Sequence, residues 1–198
     1  MTATTKSTVL IAPIGEFDAD ILSAVEKMIP QVFGLPCRIE PVIDDIGFAW
    51  NEARGQFYST AILGELSENA SPDVLKIIAL THSDLFIPIL THVFGEAQLG
   101  GRSAIVSTFR LGGGISPVGQ RAVYLERIAK EAAHELGHTF DLRHCKDNHC
   151  LMHYCRRIAD VDVKTIRLCR YCKVLLNDQL KTVTLREGRM KGEDPPSA

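Results

Sequence analysis

The order of apolar and polar residues predicts alternating strands and helices over the first part of the chain. Short apolar runs predict strands at residues 7–13, 38–43 and 74–80, and apolar positions three to four residues apart predict helices at residues 18–33 and 48–66. The run VLKIIAL at residues 74–80 is continuous, as expected for a strand covered on both faces. This β-α-β-α-β order predicts an α/β fold with a parallel sheet and right-handed crossovers.

The alternation changes after residue 92. Residues 93–99 and 103–109 both have the composition of strands, and only Gly100, Gly101 and Arg102 separate them. Three residues cannot hold a crossover helix, so the two strands are expected to form a hairpin. One of them must then run antiparallel to the rest of a mixed, mostly parallel sheet of about five strands, and we expect residues 93–99 to be this antiparallel edge strand.

A long helix is predicted at residues 117–140, after the glycine-rich segment LGGGISP. Glycines before a helix can cradle a phosphate, but their spacing here matches neither the dinucleotide-binding nor the P-loop pattern. The simpler interpretation is a flexible loop, with Ser116 as the N-cap and Pro117 at the first helical position. The helix carries one apolar stripe that should pack on the sheet, formed by Val118, Ala122, Leu125, Ala129, Ala132 and Leu136.

The opposite face of this helix carries His134 and His138. A rotation of about 100° per residue directs both side chains away from the sheet. Arg127 and Glu131 precede them on the same face and are interpreted as a solvated pair. Histidines that only fill a core would belong in the apolar stripe, so these two are expected to face a cleft whose far wall follows residue 140.

Composition and charge exclude several classes of protein. The 198 residues suffice for one domain with its own core. A net charge of -2 argues against nucleic-acid binding, and no apolar run approaches the roughly 20 residues of a membrane span. No secretory h-region with a cleavage site is evident near the N-terminus, so we expect a cytoplasmic protein, and a monomer.

Five of the six cysteines cluster in the C-terminal third of the chain. In a cytosolic protein this clustering indicates metal ligation, with chance pairs or a disulfide as the alternatives. Cys145 and Cys150 form one close pair and Cys169 and Cys172 another, and four thiolates complete a tetrahedral structural zinc site. Cys155 competes with Cys150 for a place in this set.

The segment HELGHTFDLRHC contains a second candidate metal site. His134 and His138 are one helical turn apart with Glu135 between them, the H-E-x-x-H arrangement of two zinc ligands and a glutamate beside a metal-bound water. His144 can supply a third ligand if the helix ends after His138 and the chain turns back sharply. The later Glu187 fits this role badly, as does residue 193, because both lie near a polar tail. Three imidazoles would leave a fourth coordination position open for water.

The motif continues in a way that resembles the archaemetzincins, a family of the metzincin clan of zinc metalloproteases. That family has the pattern HExxHxxGxxHC, followed by four residues, a cysteine, one residue, a methionine, a spacer and CxxC. The matching positions here are His134, Glu135, His138, His144, Cys145, Cys150, Met152, Cys169 and Cys172. The alternation of strands and helices with one antiparallel edge strand is also similar to the metzincin upper subdomain.

The resemblance implies a peptidase with a zincin-like fold and two zinc ions, one catalytic and one structural. The three histidines would hold the catalytic zinc, and Glu135 would be the general base for a metal-activated water that hydrolyses the peptide bond. The family pattern assigns Cys150 rather than Cys155 to the structural zinc, which leaves Cys155 and Cys37 as free thiols. The structural set would then be Cys145, Cys150, Cys169 and Cys172.

The same resemblance makes Met152 the Met-turn, a buried floor beneath the metal ligands. Tyr154, two residues later, is a candidate for contact with the zinc or the substrate oxyanion, although packing is the plainer interpretation. His149 and His153 are expected at the surface.

Asp141 stands where the family has a glycine. Glycine suits this turn because the backbone there must be left-handed, and aspartate tolerates that conformation at a cost of about 1 kcal/mol. The turn is therefore expected to form. The alternative function is a catalytically weak or inactive two-zinc protein that binds peptides as a scaffold.

We expect a single catalytic domain over residues 1–198. Residues 1–140 would form an upper α/β subdomain with the active-site helix, residues 141–190 a lower subdomain with one or two helices and the structural zinc, and residues 191–198 a flexible tail. The expected partner is a peptide or protein substrate in extended conformation, paired as an added strand with residues 93–99.

Overall fold

A computed structural model of the chain describes residues 8–190, and a five-stranded sheet forms its centre. Along the chain the elements are β1 (Thr8–Pro13), α1 (Ala19–Phe33), β2 (Cys37–Ile39), β3 (Trp50–Asn51), β4 (Gln56–Tyr58), α2 (Ser59–Asn69), β5 (Val74–Thr81), β6 (Leu85–Phe86), β7 (Gly95–Ala97), β8 (Ser103–Ser107), α3 (Arg121–Thr139), α4 (Ile158–Val163) and α5 (Arg170–Met190). The central sheet has the order β2-β1-β5-β8-β7, in which β7 alone is antiparallel to its neighbour. The predicted mixed sheet with one antiparallel edge strand is confirmed.

Helices cover both faces of this sheet because alternate side chains of each strand point to opposite sides. On β1, Val9 and Ile11 pack in the core shared with α1 and α3, whereas Leu10 and Ala12 pack in the core shared with α2. The residues of β5 divide in the same way. This two-sided burial explains why the sequence of β5 is apolar almost without interruption.

The helix predicted at residues 48–66 is wrong over its first half. A short 3-10 turn at Gly47–Ala49 leads into β3, which pairs antiparallel with β4, and α2 begins only at Ser59. Gly55 lies between β3 and β4 with a φ of 64°, a left-handed conformation that interrupts any helix there. β4 also pairs with β6, giving a second, three-stranded sheet that sequence periodicity did not reveal because its strands are so short.

The long helix α3 begins at Arg121 and not at Pro117, so Ser116 is not its N-cap. Ser116 instead closes a separate turn, in which its Oγ accepts a hydrogen bond from the Gly119 N–H at 3.1 Å. Val118 is 86% exposed, so the apolar stripe that packs on the sheet starts later than predicted. Its fully or nearly buried members are Ala129, Ala132 and Leu136.

The chain after α3 folds back along the face that carries the histidines, and polar contacts join α3 to α4 and the residue that follows it. Arg127 donates two hydrogen bonds of 2.7 Å to Asp162, and Glu131 forms an ion pair of 2.6 Å with Lys164. Arg127 and Glu131 are 4% and 3% exposed, so the prediction of a solvated pair is wrong. Helix periodicity marked this face as polar, but it could not show that another segment covers it.

Two helices, α4 and α5, follow residue 157, as expected for the C-terminal part. The predicted flexible tail at residues 191–198 lies outside the described residues, as does Ser7 at the predicted start of the first strand. Among the described helices, none combines the length and the apolar character needed to cross a membrane.

Candidate metal centre

The last turns of α3 place two imidazoles side by side. The Nε2 atoms of His134 and His138 are 3.1 Å apart. On the far side of each ring, Nδ1 donates to a backbone carbonyl, from His134 to Leu151 at 2.9 Å and from His138 to Leu142 at 2.6 Å. Because these carbonyls can only accept, each ring carries its proton on Nδ1 and presents the lone pair of Nε2 to the same point.

A sharp turn after α3 brings the third histidine to this point. Asp141 has a φ of 60° and is, among the described residues, the single non-glycine residue with a left-handed backbone. The N–H of Asp141 donates to the carbonyl of His138 at 2.9 Å, and that of Leu142 donates to the carbonyl of Gly137 at 3.2 Å. The chain therefore turns back as predicted, and the ring of His144 lies 4.8 Å from that of His138.

The three histidines together form a set that suits zinc. Their ligating nitrogens lie within 4.8 Å of one another. Burial lowers the pKa of His134 well below its ordinary value, lowers the pKa of His138 to about 4, and also lowers the pKa of His144. Neutral imidazoles keep the lone pair that a metal needs, and three nitrogen ligands leave one tetrahedral position open.

Glu135 lies beside this set and is only 7% exposed. It contacts β7 closely, since a Cβ added to Gly95 would lie 2.6 Å from its Cγ. Burial and, next, the charge of Glu131 raise the pKa of Glu135 well above its ordinary value. The need for a glycine at position 95 was not predicted from the sequence, because Gly95 and Glu135 lie far apart along the chain.

Met152 lies beneath the helix turn that carries the histidines and is fully buried. A Cβ on Gly137 would lie 2.6 Å from its sulfur, so a glycine at this position of HELGH lets the methionine approach the helix backbone. The carbonyl of Met152 accepts a hydrogen bond of 2.8 Å from the N–H of Cys145. This bond ties the methionine segment to the residue that follows His144.

Four cysteines form a second cluster next to the first. The sulfurs of Cys145, Cys150, Cys169 and Cys172 lie within 4.8 Å of one another, and those of Cys145 and Cys169 are 3.8 Å apart. Backbone N–H groups of the CxxC turn donate to two of these sulfurs. All six cysteines are free thiols, so the disulfide alternative is not present in this structure. This arrangement suits a closed tetrahedral S4 metal site.

Cys155 is not part of this cluster, and neither is Cys37. Cys155 lines the cavity above the histidines, while the thiol of Cys37 donates to the carbonyl of Glu26 at 3.4 Å. Of the two candidates Cys150 and Cys155, only Cys150 lies within the described cluster of four sulfurs. The choice between these two cysteines depends on how residues 145–155 fold, which the spacing of the cysteines along the sequence does not determine.

A cavity of about 830 Å³ opens above the three histidines. One wall is β7, and the other is formed by the chain that follows α3. Within the described part of the chain, β7 pairs only with β8, so its outer edge keeps unpaired backbone groups towards this space. The two walls include Gly95, Glu96, Ala97, Arg143, Tyr154 and Arg156.

Tyr154 packs on the third histidine, with ring centroids 4.7 Å apart, and 38% of it is exposed. His149 is exposed as expected. His153 is half-buried, and its Nδ1 donates to the carbonyl of Cys145 at 3.1 Å, so the expectation of a surface residue is wrong there. This hydrogen bond joins the residue that follows His144 to the residue that precedes Tyr154.

Known proteins are similar to this chain in sequence and in fold. A protein-family model for Peptidase family M54 matches residues 10–178. An archaemetzincin from Methanocaldococcus jannaschii is 39% identical over 175 residues, which cover 86% of this chain and 93% of that protein. The crystal structure of an archaemetzincin from Methanopyrus kandleri superposes with a TM-score of 0.78 at 31% identity, covering 88% of this chain and 95% of the other. A zinc-dependent peptidase from Methanocorpusculum labreanum gives a TM-score of 0.75 at 25% identity, over 85% of this chain and all of that one.

Proposed function

Since the chain belongs to peptidase family M54, the archaemetzincins, and is a zinc metallopeptidase, we propose that His134, His138 and His144 hold the catalytic zinc and that Glu135 is the general base. The convergence of three neutral imidazoles beside a buried carboxylate carries this proposal. A zinc ion bound there would supply a Lewis acid that polarises the scissile carbonyl and acidifies a water molecule.

Glu135 accepts the proton of the attacking water and passes it to the amine that leaves. Its position supports this role, because its side chain lines the cavity and follows directly on the first histidine. Its raised pKa makes the carboxylate a stronger proton acceptor than an exposed glutamate. Contact with Gly95 keeps the carboxylate between the edge strand and the histidines.

The substrate binds in extended conformation along β7. The outer edge of this strand faces the cavity, and Gly95, Glu96 and Ala97 line it. Backbone pairing along such an edge accepts many sequences, while side-chain contacts with the walls select among them. Tyr154 packs on His144 at the same cavity and is a candidate donor to the developing oxyanion.

The four cysteines hold a second, structural zinc. Cys145 directly follows His144, so this site fixes the segment that presents the third histidine. A bound cation would keep Cys150 as a thiolate, which burial alone disfavours by raising its pKa to about 11, whereas the N–H of Cys172 lowers the pKa of Cys169.

Glu135→Ala tests the proposed mechanism. The substitution should lower the rate of peptide cleavage by a factor on the order of 10² to 10⁴ while the zinc content stays unchanged. Glu126→Ala is the matched control, because Glu126 is an exposed residue of the same helix that pairs with Lys130. Cleavage at the wild-type rate by Glu135→Ala would instead support a general base elsewhere, and peptide binding without cleavage in the wild-type protein would support a scaffold.

A further inference from the structure

Two arginines on one wall of the cavity have guanidinium groups with no acidic partner among the described residues. Arg143 directly precedes His144, Arg156 lies two residues after Tyr154, and both line the cavity. Among the described residues, neither guanidinium forms an ion pair, although that of Arg157 pairs with Asp160 at 3.7 Å. Arg156 lies over the ring of Tyr154, with its guanidinium carbon 5.7 Å from the ring centroid.

Two of the carboxylates that line the same cavity already have partners. Glu131 is paired with Lys164 at 2.6 Å, and Glu96 accepts hydrogen bonds from Ser59 at 2.5 Å and Thr60 at 2.8 Å. The remaining carboxylate is that of the proposed general base. Within the described residues, the cavity wall on the side of His144 therefore carries unpaired positive charge and no comparable free carboxylate beside it.

The segments that carry the two arginines are held together. The N–H of Cys145 donates to the carbonyl of Met152, His153 donates to the carbonyl of Cys145, and the rings of His144 and Tyr154 are in contact. The two arginines therefore extend from a part of the wall that these contacts hold together. This part of the wall is adjacent to the proposed site of peptide cleavage.

We propose that Arg143 and Arg156 recognise a carboxylate of the substrate close to the scissile bond. This inference rests on the proposed function, since it assigns a substrate preference to the same cavity. Guanidinium groups bind carboxylates with directed, charge-assisted hydrogen bonds. The carboxylate has two sources, the side chain of aspartate or glutamate and the free C-terminus of a short peptide, and both present the same group.

Matched peptides distinguish these sources. The zinc-loaded protein is given peptides with glutamate or glutamine at each position near the cleaved bond, and each peptide is made as a free acid and as a C-terminal amide. We expect kcat/KM to be about fivefold higher for the carboxylate that the arginines recognise, mainly through KM, and the difference to shrink at high salt. A loss on amidation identifies the C-terminus, and a loss on glutamate-to-glutamine exchange identifies a side chain.

Substitution of the arginines provides the decisive comparison. The double variant Arg143→Gln, Arg156→Gln should lose the preference, whereas Arg167→Gln should keep it, because Arg167 is exposed and is not among the residues that line the cavity. Binding of the same labelled peptides to Glu135→Gln, measured by fluorescence anisotropy, should show the same preference without cleavage. Equal kcat/KM for acidic and neutral peptides, or a preference that survives in the double variant, would overturn the inference with the peptidase intact. If no peptide were cleaved, the proposed function would fail, and the anisotropy measurement would still decide the carboxylate preference.

Discussion

Gly95 of the edge strand packs directly against the side chain of Glu135. A Cβ on Gly95 would lie 2.6 Å from the Cγ of Glu135 and 2.6 Å from the carbonyl oxygen of Ile105. The strand proposed to bind the substrate and the proposed general base are therefore in contact. Any side chain at this position must displace either the carboxylate or the neighbouring strand.

Gly95→Ala should for this reason reduce both stability and activity. Overpacking of this kind costs about 1–3 kcal/mol of unfolding free energy, and a displaced base lowers kcat about tenfold or more. Gly64→Ala is the control, because its Cβ would meet nothing within 4 Å inside α2, and it should stabilise the protein by about 0.5–1 kcal/mol. Urea unfolding and initial rates measure the two effects, and a wild-type kcat for Gly95→Ala would argue against the contact.

Lys164→Met should strongly destabilise the protein. Lys164 is fully buried, and its Nζ forms an ion pair of 2.6 Å with Oε1 of the equally buried Glu131. Removal of the lysine leaves a buried carboxylate without its counter-charge, at a cost of about 3–5 kcal/mol. The same change at Lys181, whose pair with Asp178 is exposed, should cost less than about 1 kcal/mol.

The double change Glu131→Gln, Lys164→Met tests the origin of that loss. It removes both charges, so it should recover much of the stability lost in Lys164→Met alone. Urea unfolding of the four proteins gives the coupling energy. Additive losses would mean that Lys164 stabilises the fold by packing and not through its charge.

Stability should depend on pH through Lys76. Its ammonium donates to the carbonyls of Gly101 and Thr139, both at 2.6 Å, and burial lowers its pKa from 10.5 to about 8. Between these values the unfolded chain binds more protons than the folded one, so the contribution of Lys76 to stability rises with pH. Below about pH 8 both states are protonated and the folded protein bears the full cost of burying the charge.

The comparison with Lys76→Met isolates this effect. The unfolding free energy of the wild-type protein minus that of Lys76→Met should increase from pH 8 to 10.5, by up to about 3 kcal/mol. Urea titrations at several pH values measure it. A flat or falling difference would show that the lysine keeps an ordinary pKa in the folded state.

Asp141 should tolerate glycine but not valine. Its φ of 60° favours glycine, although glycine also gives the unfolded chain more freedom, so Asp141→Gly should change stability by no more than about 1 kcal/mol. A β-branched residue is strained in this region, and Asp141→Val should cost about 1–3 kcal/mol and weaken zinc binding by His144. Valine as stable as aspartate would show that the turn relaxes out of the left-handed conformation.

The sequence was most informative where geometry is local. His134 and His138 converge because they are one turn apart on a helix, and Asp141 is left-handed because the chain must reverse within a few residues. Continuous or alternating apolar runs likewise identified the long strands, since burial on each face follows directly from the pleat.

The contacts that sequence did not predict join distant segments. The sequence pattern does not indicate that Glu131 pairs with Lys164, which lies more than thirty residues later. For that reason the helix face that carries Glu131 was predicted to be solvated. Gly95 and Glu135 are similarly remote, and their contact depends on how β7 lies over α3. The strands of the second sheet are too short to establish a period of their own.

Zinc content per chain most directly tests the central claim, that the three histidines and the four cysteines bind two separate metal ions. Mass spectrometry under native conditions should find two zinc ions in the wild-type protein. It should find one in His138→Ala, which keeps the cysteine site, and no more than one in Cys172→Ser, because the cysteine site fixes the segment that presents His144. A wild-type protein with a single zinc, or a His138→Ala variant that retains both, would contradict this assignment.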